Sequence, residues 1–190
     1  MKEEMVDILD GDGNKINQTL TKSEAHKKGL WHGAAHLWIY NSKDQILLQL
    51  RHPKKDIRPN VWDISVAGHI SAGMEPRETI VREAKEELGL KVETKNLIFS
   101  GVTKLEDPMP EGWIHRCYSW TYLLKKDLYL KSLTLEDGET SEVRWIYVDD
   151  FDKELDDPER GKLYSQPAKH VYKFAVNEIR KAISKTRGNL

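Results

Sequence analysis

Residues 68–90 read GHISAGMEPRETIVREAKEELGL, a glycine-punctuated loop that runs straight into a helical pattern. Pro76 suits a first helical turn, Gly89 suits the position after a last one, and Ile80, Val81, Ala84 and Leu88 recur at the spacing of a buried stripe. The pattern predicts a helix over 76–88. At about 100° per residue, Glu83, Glu86 and Glu87 share roughly one third of its circumference, with Glu87 on the border of the apolar stripe. Such like charges repel by roughly a few tenths of a kcal/mol per pair, and Glu86 and Glu87 also fall in the last turn, where the helix dipole disfavours anions. An isolated acidic face of this kind is commonly just solvated, with Arg82 and Lys85 as local partners. A divalent cation would also reconcile the three carboxylates, and hard oxygen donors suit Mg²⁺ or Mn²⁺.

Outward from this helix the pattern turns to strands. Upstream, MVDIL and KINQTL flank the turn Asp10-Gly11-Asp12-Gly13-Asn14 as a hairpin over residues 5–20. The turn has the Asp10, Asp12 and Asn14 spacing of a calcium loop, but Lys15 stands where such a loop needs Gly and Thr21 where it needs a bidentate Glu. A brief helix through SEAHKK, ended by Gly29, leads into AAHLWIYNSKDQILLQLRH, two strands around the Asn41-Ser42-Lys43-Asp44 turn, and then into VWDISVAGHI. Downstream, strands are expected over Leu97–Val102, Cys117–Leu124 and Val143–Val148, followed by an amphipathic helix around 167–185. Strands interleaved with two helices predict an α/β sandwich built on a mixed sheet.

At 190 residues, 38% hydrophobic and 32% charged, the chain is sized for one ordinary core. Lys plus Arg number 30 against 31 Asp plus Glu, so no excess of positive charge points to duplex nucleic acid. Cys117 is the single cysteine, which excludes an internal disulfide, a thiolate zinc cluster and a Cys-x-x-Cys redox pair. The acidic start MKEEMVDILD does not read as a secretory leader and no run reaches membrane-spanning length, so a cytoplasmic location, away from membranes, is expected.

The same segment resembles the Nudix hydrolase family. Gly68, Arg82, Glu83, Ala84, Glu86, Glu87, Gly89 and Leu90 match the family's pattern of G, five residues, E, seven residues and R-E-U-x-E-E-x-G-U, where U is apolar. The resemblance extends over residues 32–155, with Trp62 and Trp145 as landmarks, and leaves 1–31 as a hairpin-and-helix extension and 156–190 as a C-terminal helix packed on the same domain. It implies a Nudix-type α/β/α sandwich and a divalent-metal-dependent hydrolase that splits a diphosphate linkage in a nucleoside-diphosphate-type or other X-linked substrate. It implies Glu83 and Glu87 as chief metal ligands, Glu86 as a ligand or outer-sphere catalytic group, and Arg82 as their orienting partner. It also implies Gly68 as a substrate-binding residue. A downstream acid would serve as general base, with Glu139 the candidate and Glu142 the runner-up. Nudix domains are often dimeric, which leaves a homodimer through the hairpin or the C-terminal helix open.

The match departs from the family at Met74, where the first Glu of the pattern belongs; Glu75 stands one place late as a substitute. A narrower resemblance, through HLWIYNSKDQILLQLRH and PNVWDISVAGH, runs to the isopentenyl-diphosphate isomerase branch. It aligns Arg51 and Lys55 with diphosphate-contacting positions. The isomerase's catalytic cysteine is replaced by Ala67, and no carboxylate occupies Trp113–His115, so hydrolysis is favoured over isomerisation, with a non-catalytic binding module as the third alternative. His36 and His69 match metal-binding histidines of that branch, and His115 stands where one of its acids would be; structural histidines being the commoner kind, a second metal site there is left open. The six tryptophans are expected to be mostly core, with one free to stack on a ring, and Cys117 to be a small buried residue.

Overall fold

Alternation along one ten-residue strand organises the computed structural model, which describes residues 3–55, 57–109 and 111–188. The chain runs β1 (Met5–Leu9), β2 (Lys15–Thr21), α1 (Lys22–Lys27), β3 (Trp31–Tyr40), β4 (Gln45–Arg51), β5 (Trp62–Asp63), β6 (Val66–His69), α2 (Pro76–Leu88), β7 (Ile98–Pro108), β8 (Ile114–Lys125), β9 (Thr140–Tyr147), α3 (Val148–Asp156) and α4 (Lys169–Gly188). β3 is the axis. On one side it pairs in parallel with β8, from His32↔Cys117 to Tyr40↔Lys125. On the other it meets three antiparallel partners in turn: β1 at His32, β6 from Ala34 to Leu37, and β4 at Tyr40. β2, β5, β7 and β9 complete the sheet beside β1, β4, β8 and β4 respectively.

Successive strand residues point to opposite faces. On one face Leu37, Ile39, Leu47, Val66, Tyr122 and Leu124 pack against Ile80, Ala84 and Leu88 of α2. On the other, Trp38, Tyr40, Ile46, Leu48 and Leu123 pack against Phe151 and Leu155 of α3 and Tyr172, Val176 and Ile179 of α4. The result is the expected α/β/α sandwich on a mixed sheet. Each fully buried aliphatic side chain, such as Ile80 or Leu88, contributes about 1.5–3 kcal/mol.

α2 ends where its sequence requires: Gly89 is left-handed at φ 64°, and its N–H reaches the Ala84 and Lys85 carbonyls. The Asp10 carboxylate accepts the Asp12 and Asn14 N–H groups at 2.9 Å each, the work of a turn. Several boundaries differ from the sequence expectation. β7 continues to Pro108, because its long antiparallel pairing with β8 carries both strands past Val102 and Cys117. The terminal helix starts at Lys169, after a 3-10 turn at Gln166–Ala168. Val148, expected to end a strand, instead opens α3, a helix absent from the sequence expectation, whose Val148, Phe151 and Leu155 are buried at helical spacing. Among the described residues no helix is long and apolar enough to cross a membrane.

Candidate active site

β6 and α2 lie against each other, and this contact builds the acidic part of the site. Gly68 faces α2; a side chain there would overlap the Glu83 carboxyl group, so the glycine makes room for it. One helical turn later, the buried Glu87 accepts hydrogen bonds from the Gln49 side-chain amide at 3.2 Å and the Ala67 backbone N–H at 3.4 Å. Burial pushes Glu87 up to about 8, reinforced by the negative charge of Glu83. Burial likewise raises Glu83 to about 7, with Arg82 opposing and Glu86 and Glu4 adding to the rise.

Arg82 holds the set together. Its guanidinium pairs with Glu83 at 2.7 Å and Glu86 at 2.9 Å, and stands 3.8 Å from Glu4 of the N-terminal segment. Glu4 in turn accepts a hydrogen bond from the Ser71 hydroxyl at 2.9 Å. Glu86 points outward beside Arg82, so the three acids are graded: Glu87 buried, Glu83 half-buried and Glu86 exposed. Two desolvated carboxyls side by side, with few hydrogen-bond donors, leave a charge deficit that a divalent cation would fill. Their all-oxygen donor set fits a hard ion.

A cavity of about 380 Å³ opens beside Glu87, with Gln49, Lys55, Glu139, Trp113 and His26 among its walls. The Lys55 ammonium is paired with the Glu139 carboxylate. Arg51 also lines the cavity, yet its Nε donates to the Ile57 and Arg58 carbonyls at 3.2 and 3.0 Å, its Nη2 to Ile57 at 2.8 Å, and its Nη1 lies 3.6 Å from Asp63. Most of the Arg51 fork therefore holds the 57–58 backbone, leaving Lys55 as the more available cation. Trp113 stacks on His26 with ring centroids 5.1 Å apart and planes 9° apart, giving the cavity a flat aromatic wall. Lys22 and Lys27 of α1 add positive charge to it.

Glu139 faces this cavity, whereas Glu142 lies exposed on β9 opposite Leu50. Glu75 does not stand in beside the buried carboxyls. It is the N-cap of α2, engaged in a reciprocal capping box with Glu78, and twelve residues of helix put it about 18 Å from Glu87 along the axis. Met74 lines a separate recess with Gly33, Ile70 and Trp120.

A smaller cavity of about 150 Å³ adjoins the first through Arg51, Ile57, Ala67 and His69, and reaches Val171 and Tyr172 of α4. His36 is buried against it, with its Nδ1 unpartnered, and burial lowers it to about 4. Of the three histidines at which the sequence leaves a second metal site open, His36 lines the small cavity with His69 and His115 but stands outside their closest group. His36 sits four residues along β3 from His32, about 13 Å away. His69 and His115 instead gather with His26 and His32, all four offering a ring nitrogen within 4.8 Å of one another. Sequence reading missed His26 and His32, whose only signal was residue type. Cys117 is buried beside them, and burial raises its thiol well above the usual range.

The model of the NUDIX domain matches residues 30–166. An uncharacterized Nudix hydrolase of Clostridium acetobutylicum is 36% identical over 159 residues, which cover 82% of this chain and 76% of that protein. An isopentenyl-diphosphate Delta-isomerase of Escherichia coli is 34% identical over 102 residues, 53% of this chain and 56% of the isomerase. The crystal structure of a Deinococcus radiodurans protein covers 80% of this chain and 89% of its own with a TM-score of 0.65, at 18% identity.

Proposed function

Because this chain belongs to the Nudix hydrolase family, we propose that it is a pyrophosphohydrolase in which Glu83, Glu87 and Glu86 hold Mg²⁺ or Mn²⁺ and the adjoining cavity takes an X-linked diphosphate. The observation that carries this reading is the proximity of two largely desolvated carboxyls, Glu83 and Glu87, with Glu87 lining a cavity that also holds Lys22, Lys27, Arg51 and Lys55. When bound, the cation supplies charge neutralisation of phosphate oxygens and an activated water.

The remaining roles belong to the chain itself. Gly68 leaves space for Glu83, and Arg82 holds Glu83 and Glu86 in register. A phosphate arriving beside Lys55 competes with Glu139 for its ammonium and frees that carboxylate to accept a proton from water. Arg51 keeps the 57–58 backbone in place and sets the cavity's far wall. The Trp113–His26 stack offers a flat surface to the group attached to the diphosphate, which favours a nucleoside or another ring. Isomerisation is the weaker reading, because Ala67 offers no proton and Cys117 is a buried, protonated thiol.

The test is release of phosphate and pyrophosphate from nucleoside di- and triphosphates, dinucleotide and nucleotide-sugar diphosphates and isopentenyl diphosphate, with Mg²⁺, with Mn²⁺ and with Glu87→Gln. Metal-dependent release that Glu87→Gln lowers at least about 100-fold is expected. Release indifferent to that substitution, ligand binding without turnover, or conversion of isopentenyl diphosphate without phosphate release would each overturn it.

A further inference from the structure

The C-terminal helix α4 begins after residue 166, where the family match ends, and directs one hydroxyl toward the small cavity. Tyr172 is fully buried, its ring packed against Trp38, Phe151 and Tyr164 with centroids 5.9, 5.9 and 6.4 Å away. A phenylalanine would fill the same space, and a phenol hydroxyl taken out of water costs stability unless it finds a partner. The partner here is a carboxylate: the Tyr172 hydroxyl donates to Asp63 Oδ1 at 2.9 Å.

Asp63 lies on β5, and its two oxygens are used differently. Oδ1 accepts both the Tyr172 hydroxyl and the Ile64 backbone N–H, the latter at 2.8 Å, which fixes the carboxylate plane. Oδ2 is left facing Arg51 Nη1 at 3.6 Å, an ion pair between two half-buried side chains. The other donors of Arg51, Nε and Nη2, hold the Ile57 and Arg58 carbonyls. A guanidinium is a rigid plane, so a carboxylate that fixes one edge also sets where the other edges point. Ile57 lines both cavities and stands two residues beyond Lys55, the cation paired with Glu139. An unbroken series of contacts thus runs from α4 through β5 and β4 to the wall of the main cavity.

We propose that Tyr172 and Asp63 are positioning residues, which act through Arg51 to hold the 57–58 backbone and so keep Lys55 in place for a diphosphate. The functional half of this inference rests on the pyrophosphohydrolase reading; the positioning of the cavity wall does not. Anchoring of the C-terminal segment alone explains the Tyr172 contact less well, because the hydrophobic face of α4 and the neighbouring Tyr164, bonded to Glu154 and Arg144, already supply it. A residue that places a binding cation serves ground state and transition state alike, so its loss acts on KM rather than on kcat.

The experiment compares Tyr172→Phe, Asp63→Asn and the double substitution with wild type. Tyr164→Phe is the control, since it removes a hydroxyl from the same aromatic group whose partners do not touch Arg51. One readout is calorimetric binding of inorganic pyrophosphate in Mg²⁺. The other is amide hydrogen exchange over residues 51–61, where the Arg51 N–H is bonded to the Val61 carbonyl and the Asn60 N–H to the Arg51 carbonyl. Tyr172→Phe should weaken pyrophosphate binding about 10-fold, raise the KM of any hydrolysed diphosphate by about the same factor with kcat within about 2-fold of wild type, and speed exchange over 51–61. Tyr164→Phe should lower Tm comparably and leave all of these at wild-type values. The double substitution should bind within about 2-fold of Asp63→Asn alone, because the two residues act in series.

The proposal is overturned if Tyr172→Phe and Tyr164→Phe behave alike, if the effects of Tyr172→Phe and Asp63→Asn add, or if exchange over 51–61 is unchanged. Wild-type protein that binds no pyrophosphate would remove the hydrolase reading instead. Faster exchange in Tyr172→Phe would then still uphold the positioning of the wall, and unchanged exchange would overturn it.

Discussion

Gly68 is the space that Glu83 occupies: the carboxyl group on α2 fills the volume that any side chain on the third residue of β6 would need. The two residues are fifteen positions apart in sequence and act as one fitting. Gly68→Ala should therefore displace the Glu83 carboxyl, with metal affinity falling about 10- to 100-fold while Tm changes little, since the far end of a side chain can move aside. Isothermal titration with Mn²⁺ checks it; unchanged affinity would show that Glu83 is not a ligand.

Arg82 supports the same carboxylates from outside. Its side chain is one-third exposed, so its loss should cost at most about 1 kcal/mol of stability. Arg82→Ala should nonetheless lower kcat/KM about 10-fold or more, and Arg82→Lys should restore part of it, because a lysine can meet Glu83 or Glu86 but not both. Steady-state kinetics beside a urea melt separate the two effects.

Lys55 and Glu139 are paired but should fail differently. Lys55→Ala should raise KM about 10-fold and leave kcat nearly unchanged, as expected for a charge that binds substrate and transition state alike. Glu139→Gln should lower kcat by about 10² or more and remove the acid limb of its pH profile. A fall in kcat with the acid limb intact would leave Glu139 a positioning residue.

Stability against pH combines two opposing groups. Five histidines, His26, His32, His36, His69 and His115, are held below their ordinary 6.5 by burial, His26 and His36 to about 4. The unfolded chain binds their protons first, so their contribution is complete above pH 6.5 and is lost as pH falls toward 4. Glu83 and Glu87 are shifted the other way, from 4.5 to about 7 and about 8, so the folded chain keeps their protons longer and stability falls as pH rises from 4.5 toward 8. Each group contributes a slope of up to about 1.4 kcal/mol per pH unit within its window. Five outweigh two below 6.5, and only the carboxyls act above it. Metal-free protein should show its highest urea midpoint near pH 6.5, and Mg²⁺ should move that maximum upward because it binds the ionised carboxylates. A midpoint still rising between pH 7 and 8 without metal would contradict the burial of Glu83 and Glu87.

The helix that carries the acids was legible because proline, glycine and the 3.6-residue stripe all agree over residues 76–88. α3 was not, because Val148 reads equally well as the end of an apolar strand and nine residues give the helical period little room. The acidic motif was local and therefore readable. The imidazole group draws on residues 26, 32, 69 and 115, and which histidines meet depends on strand register, which no local pattern states. For the same reason Glu75 looked available in the sequence and is committed to capping in the fold.

β6 is four residues long, and its pairing with β3 sets Gly68 opposite Ala35 and His69 opposite Ala34. Side chains on a strand change face with every residue, so a slip of one position would turn His69 toward Glu83 and Gly68 toward the other three histidines. Both groups of side chains would be disturbed together, the acidic one gaining an imidazole and the histidine cluster losing one. This short strand thus works as a partition between a carboxyl face and an imidazole face, and a single inserted residue between Ile64 and Val66 would mix the two.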